Sequence, residues 1–196
     1  PIDAALAWRL GMAHHCRGEL GRALESYSRA EPAPGDGVDD ALLLAWSAGT
    51  WGLMADVEEA APLARRALEV AERSGDDRAL AAAHAGAAMV AGREGRTADS
   101  DRHLEAALGP AERSGDRIIL SRIRTNRAAG LTERGLYRAA LVELEEAFRV
   151  SASPGLKFFE RTLIARAVAH FRLGLLDEAA ADFTRVVELS LESGST

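Results

Sequence analysis

The sequence has 196 residues and a formal net charge of −6, with 47% hydrophobic and 28% charged residues, so it can bury a core without disulfides or metals. Its 40 alanines and 25 leucines favour helices over strands. The single cysteine, Cys16, excludes a disulfide scaffold and a cysteine-based metal site. The acidic balance argues against direct binding of nucleic acid.

A repeat organises the whole chain. The hexapeptide Ala-Glu-Arg-Ser-Gly-Asp occupies residues 71–76 and recurs unchanged at residues 111–116, a displacement of 40 residues, and a fixed period of this size is typical of solenoids. A small residue marks the turn inside each repeat, and successive turns are 37, 40, 40 and 39 residues apart. The turn residues are Gly18, Ala55, Gly95, Gly135 and Gly174.

Each repeat is predicted to form a helix, a short turn and a second helix. In chain order the predicted hairpins cover residues 3–33, 39–75, 78–115, 117–154 and 157–194. Helix-breaking segments lie between them, at residues 31–37, 74–76, 114–116 and 151–155. Because one hairpin cannot bury its apolar face alone, we expect the hairpins to stack into a single solenoid over residues 1–196 that belongs to a longer chain.

Two positions in each repeat carry only small side chains, which predicts that the two helices of a hairpin approach each other closely there. Seven residues before each turn stand Gly11, Ala48, Ala88, Ala128 and Ala167. Five residues after each turn stand Ala23, Ala60, Ser100, Ala140 and Ala179.

The first and last hairpins resemble the tetratricopeptide repeat. In the first, the resemblance rests on Leu10-Gly11 followed by Gly18, Ala23, Tyr27 and Ala30, and in the last on Gly174 to Ala179 with Phe183. It implies an all-α fold, an α-α superhelix of about five helical hairpins. The hexapeptide and the longer period are also similar to the repeat region of large ATP-dependent bacterial transcription regulators of the MalT-like, LuxR-type class. This chain has neither their phosphate loop nor a basic recognition helix.

The tetratricopeptide resemblance further implies a concave groove lined by the first helices. Its apolar section would lie near the N-terminus and its arginines near the other end, which suits a peptide or partner domain with an apolar stretch and an acidic end. The groove residues implied in this way are Trp8, Arg9, Met12, Trp46, Met89, Arg122, Asn126, Arg161 and Phe171.

Two of these assignments have alternatives. Trp8, Trp46 and Met89 could instead fill the space between successive first helices. Asn126 and Arg161 match the clamp with which some family members bind the C-terminal carboxylate of chaperones, but other residues replace its remaining members, so we do not expect that clamp.

Arg127 and Arg166 each lie eight residues before a turn, at a position that is usually apolar in the family. They either pair with acids such as Glu133 or Glu160, or mark an error in the helix phase.

No catalytic, metal or cofactor site is predicted. His14 and His15 are adjacent and point apart on a helix. The other histidines are scattered, and no Ser, His and Asp constellation can be assembled. An enzyme built on a helical toroid would need a cluster of perturbed titratable groups in a closed cavity.

The leading hypothesis is therefore a non-catalytic protein-interaction module, the regulatory repeat segment of a bacterial transcription or signalling regulator. The alternative is a sensor that takes a small effector into an apolar pocket around Trp8, Trp46 and Met89. No segment has the length and apolarity of a membrane span or a signal peptide, so we expect a cytoplasmic protein. Exposed apolar surface on the terminal hairpins would favour a homodimer.

Overall fold

The computed structural model describes residues 1–30, 35–150 and 157–192, with the backbone alone at residues 157 and 158. In these ranges the chain is all-α, and its one isolated backbone bridge joins Ile2 to Ala30. The described helices are α1 (Ala4–Cys16), α2 (Leu20–Ser28), α3 (Val38–Leu53), α4 (Val57–Ser74), α5 (Asp77–Arg93), α6 (Thr97–Ser114), α7 (Arg117–Glu133), α8 (Tyr137–Val150), α9 (Lys157–Arg172) and α10 (Leu176–Glu192). The predicted breaker residues 31–34 and 151–155 and the last two residues of the fifth hairpin, 193 and 194, lie outside the described residues.

The prediction of helical hairpins is confirmed. Each predicted turn residue lies between two helices, and each has a positive φ, which places it in the left-handed region that favours glycine. Four of the five are glycines with φ between 75° and 78°, and the fifth is Ala55 with φ 62°.

The repeated hexapeptide builds the same joint twice. Gly75 and Gly115 end α4 and α6 in the left-handed conformation. One residue later an aspartate begins the next helix by accepting hydrogen bonds from backbone N–H groups: Asp76 from Ala79 at 2.9 Å, and Asp116 from Ile119 at 3.1 Å. A glycine that ends one helix and an aspartate that caps the next explain why this short sequence recurs between hairpins.

The small positions pack as predicted. In the third hairpin, Ser100 Oγ donates to Ala88 O at 3.0 Å, so the two positions touch directly. Ala48 and Ala60 share one core cluster, and Ala128 and Ala140 share another. In the first hairpin a Cβ on Gly11 would lie 2.0 Å from the Tyr27 ring. Short side chains therefore set the spacing between the paired helices.

The contacts divide the chain into two compact units, Pro1–Leu120 and Ser121–Thr196, which we call the N-terminal unit and the C-terminal unit. In the N-terminal unit α3 packs against both α1 and α5, so its first helices are neighbours. In the C-terminal unit α9 packs against α8 and α10. A single solenoid over the whole chain stays a prediction. No helix in the described ranges is long and apolar enough to span a membrane.

Replacement of Ala55 by glycine tests the turn geometry. Ala55 is the one non-glycine residue with a positive φ in the described ranges. We expect Ala55→Gly to raise the free energy of unfolding by about 0.5–1 kcal/mol, because relief of left-handed strain outweighs the added entropy of the unfolded chain. Gly95→Ala, at the same position of the next hairpin, should lower it. Urea denaturation measures both, and a loss of stability in Ala55→Gly would contradict the assignment.

Candidate functional site

Trp8 and Arg9 are fastened to the second hairpin. The indole Nε1 of Trp8 donates to Asp39 Oδ1 at 2.6 Å. The Arg9 guanidinium lies 4.5 Å from the centre of the Trp8 ring, and its NH1 lies 3.3 Å from the same carboxylate oxygen. Trp8 is 5% exposed. These groups therefore join α1 to α3.

Trp46 also lies between first helices, buried beside the His15 ring, which meets it edge-on at 5.1 Å. His15 Nδ1 is 2.7 Å from Thr50 Oγ1, and that hydroxyl donates to Trp46 O at 2.9 Å. Because the hydroxyl proton is already used, His15 Nδ1 must be the donor in the first bond. This chain of polar contacts holds the buried indole against α1.

Met89 packs at the next contact along the unit. It is half-buried, and a Cβ added to Gly52 would lie 2.6 Å from Met89 Cγ. Arg93 Nε donates to Gly52 O at 2.9 Å beside it. Trp8, Trp46 and Met89 thus occupy the space between successive first helices, as the packing alternative describes, whereas Met12 is half-buried on α1. Their role in partner binding stays a prediction.

The C-terminal unit holds the remaining predicted groove residues. Arg122 and Asn126 are half-buried one turn apart on α7, and Arg161 is exposed on α9. Phe171, near the end of α9, is 58% exposed. The hydroxyls of Thr125 and Thr162 lie 3.0 Å apart and join α7 to α9. Asn126 and Arg161 are their chain neighbours and therefore lie close to the α7–α9 contact.

Asn126 carries an unsatisfied polar group. Its amide Nδ2 is buried and has no hydrogen-bond partner among the described residues. Leaving a buried amide without a partner costs about 1–3 kcal/mol. The amide is therefore suited to donate to an acceptor supplied by a bound molecule.

The two unexplained arginines form ion pairs inside their own hairpins. Arg127 Nε donates to Glu143 at 3.0 Å, and Arg166 Nε donates to Asp182 at 2.9 Å. In both hairpins the acid follows the arginine by 16 residues. That equal spacing was visible in the sequence, but the acids considered there, Glu133 and Glu160, were chosen from other positions. The helix phase is correct, and these charges hold the second helix to the first.

A histidine pair was missed by the sequence reasoning. His84 on α5 and His103 on α6 bring their Nδ1 atoms to 3.1 Å. Burial lowers the pKa of His84, and the charge of His103 lowers it further against the opposing effect of Glu72. Burial also lowers the pKa of His103, assisted by Arg102 and opposed by Asp99. The signal in the sequence was their placement 11 residues before and eight after one turn.

No group of three or more metal-ligating side chains that could hold an ion occurs among residues 1–30, 35–150 and 157–192.

Comparison of this geometry with solved structures decides the fold. A Rap protein complexed with competence and sporulation factor matches with a TM-score of 0.78 at 15% identity, over 96% of this chain and 54% of that one. A signal transduction ATPase with numerous domains and a tetratricopeptide repeat sensor, from Pyrococcus horikoshii, matches with a TM-score of 0.66 at 16% identity, over 94% and 29%. The fold is tetratricopeptide-like.

The MamA protein has the same type of fold, with a TM-score of 0.54 at 14% identity over 97% of this chain and 93% of that one. No protein-family model matches the sequence, and no curated protein matches it. The chain spans about half of the Rap chain and less than a third of the ATPase chain. At these identities the tetratricopeptide-like fold is shown, and a partner is not.

The histidine pair predicts acid sensitivity. Since the folded-state pKa of both histidines lies below the ordinary value, the unfolded chain binds more protons as the pH falls. The stabilising contribution should be complete above about pH 6.5 and decrease as the pH falls below it. We expect the unfolding free energy of His84→Gln to fall less between neutral and mildly acidic pH than that of the unaltered protein or of His14→Gln. Parallel curves would contradict this.

Proposed function

We propose that the chain is a non-catalytic protein-interaction module that binds an extended, acidic segment of a partner along α7 and α9 of the C-terminal unit. The observation that carries this proposal is the buried, unsatisfied amide of Asn126. A backbone carbonyl or carboxylate oxygen of a bound peptide would supply the missing acceptor. Arg122 and Arg161 would attract its acidic groups, and the exposed ring of Phe171 would offer an apolar contact at the far end of α9.

The similar structures support an interaction role. The Rap protein is complexed with a factor, and the repeats of the ATPase are a sensor. Together with the hexapeptide, they support our proposal that this chain is the regulatory repeat segment of a bacterial transcription or signalling regulator of the MalT-like type, acting in the cytoplasm without contacting nucleic acid itself. The buried indoles of Trp8 and Trp46 give no support to the alternative of an effector pocket around them.

A peptide selection tests the proposed surface. A random-peptide phage library is selected against the protein, and the recovered peptides are synthesised and titrated. We expect acidic sequences, with binding weakened about 10-fold by Asn126→Ala because one hydrogen bond is lost. Arg161→Glu should weaken binding at least as much, through charge repulsion.

The matched control is Arg138→Ala, an exposed arginine on α8 away from this surface, which should leave the affinity unchanged. Recovery of no binding peptide, or equal affinities for Asn126→Ala and the unaltered protein, would contradict the proposed function.

A further inference from the structure

The last hairpin exposes a position that every earlier hairpin buries. Ten residues before the turn, the first four hairpins hold side chains that are at most 8% exposed, whereas Ile164 of the fifth is 41% exposed. The four buried equivalents are Trp8, Ala45, Ala85 and Thr125.

A second position shows the same contrast. Nine residues after the turn, the first four hairpins hold side chains that are at most 6% exposed, whereas Phe183 is 42% exposed. The four buried equivalents are Tyr27, Ala64, Leu104 and Leu144. We call Ile164 and Phe183 the trailing face. Both are large apolar side chains on the last hairpin.

Contacts inside each unit show what covers these positions. Thr125, ten before its turn, bonds to Thr162, which lies 12 before the next turn. Ala64, nine after its turn, shares a core cluster with Ala87, which lies eight before the next turn. The following hairpin therefore covers both positions with its first helix, using its residues 12 and eight before the turn.

The first hairpin leaves the matching positions uncovered. Twelve and eight residues before its turn stand Leu6 and Leu10, which are 46% and 38% exposed. Their equivalents Thr162 and Ala87 are 2% and 8% exposed. We call Leu6 and Leu10 the leading face. One chain thus presents both sides of an interface that its own hairpins already use.

We propose that a second copy of this chain docks head to tail, with its leading face on the trailing face of the first. Repeat register then fixes the pairs: Ile164 packs against Leu6 of the neighbouring copy, and Phe183 packs against Leu10 of that copy. This continues the established contacts between hairpins. Because the two faces differ, the contact is heterologous and does not close on itself, so assembly grows with concentration. The proposal uses neither Asn126 nor the arginines and stands independently of the peptide surface.

Sedimentation velocity over about a hundred-fold concentration range tests the association, because head-to-tail assembly follows mass action. We expect species larger than a monomer that increase with concentration. Leu10→Glu and Phe183→Glu should each weaken association at least about 30-fold, since each places an unpaired charge in an apolar contact. Val142→Glu, at a 62% exposed site on α8 outside both faces, should associate like the unaltered protein.

Mixing the two face variants decides the orientation. Leu10→Glu keeps an intact trailing face and Phe183→Glu keeps an intact leading face, so an equimolar mixture should form dimers that neither variant forms alone. Ile164→Glu serves as a second trailing-face variant, and circular dichroism checks that all variants keep their helices. A protein that stays monomeric at every concentration, or a Leu10→Glu variant that still dimerises alone through two trailing faces, would overturn the proposal.

Discussion

Close approach between the two helices of each hairpin is the constraint on which the rest of the structure depends. Dispersion and apolar burial act over a short range, so helices that share a large contact area need short side chains where their axes come nearest. Alanine, glycine or serine fills that place in all five repeats, and at one of them Ser100 bonds directly to the backbone of Ala88. Larger side chains such as Leu144 then fill the layer beside the contact.

Polar groups enter this layer toward the C-terminus. Eight residues after the turn, the chain changes from Ser26 and Leu63 to His103, Glu143 and Asp182. Buried ion pairs such as Arg166 with Asp182 roughly balance their desolvation cost and contribute little net stability, but removal of one partner is costly. Such pairs favour one register between helices over others. The C-terminal unit is therefore held by directional contacts, beside which the unsatisfied amide of Asn126 lies.

The repeat period made the fold predictable, because turn glycines and small contact residues are local requirements that each repeat states again. The candidate site was less accessible. The sequence shows that Trp8 and Trp46 lie on first helices, but whether an indole faces a groove or a neighbouring helix depends on a modest rotation, and Asp39 decides it for Trp8. Pairing of His84 with His103 and of Arg127 with Glu143 required comparison of distances across each turn. Such pairs are set by tertiary contact and carry no motif.

The central claim, that short side chains set the helix spacing, is tested most directly by enlarging one of them. Ala140 is fully buried in the contact between α7 and α8, whereas its neighbour Ala139 is exposed on the same helix. Urea denaturation of Ala140→Leu should show a loss of about 1–3 kcal/mol from overpacking, with Ala139→Leu changing stability by less than about 0.5 kcal/mol. Equal stabilities for the two variants would show that the contact has room for a larger side chain, and would contradict the account.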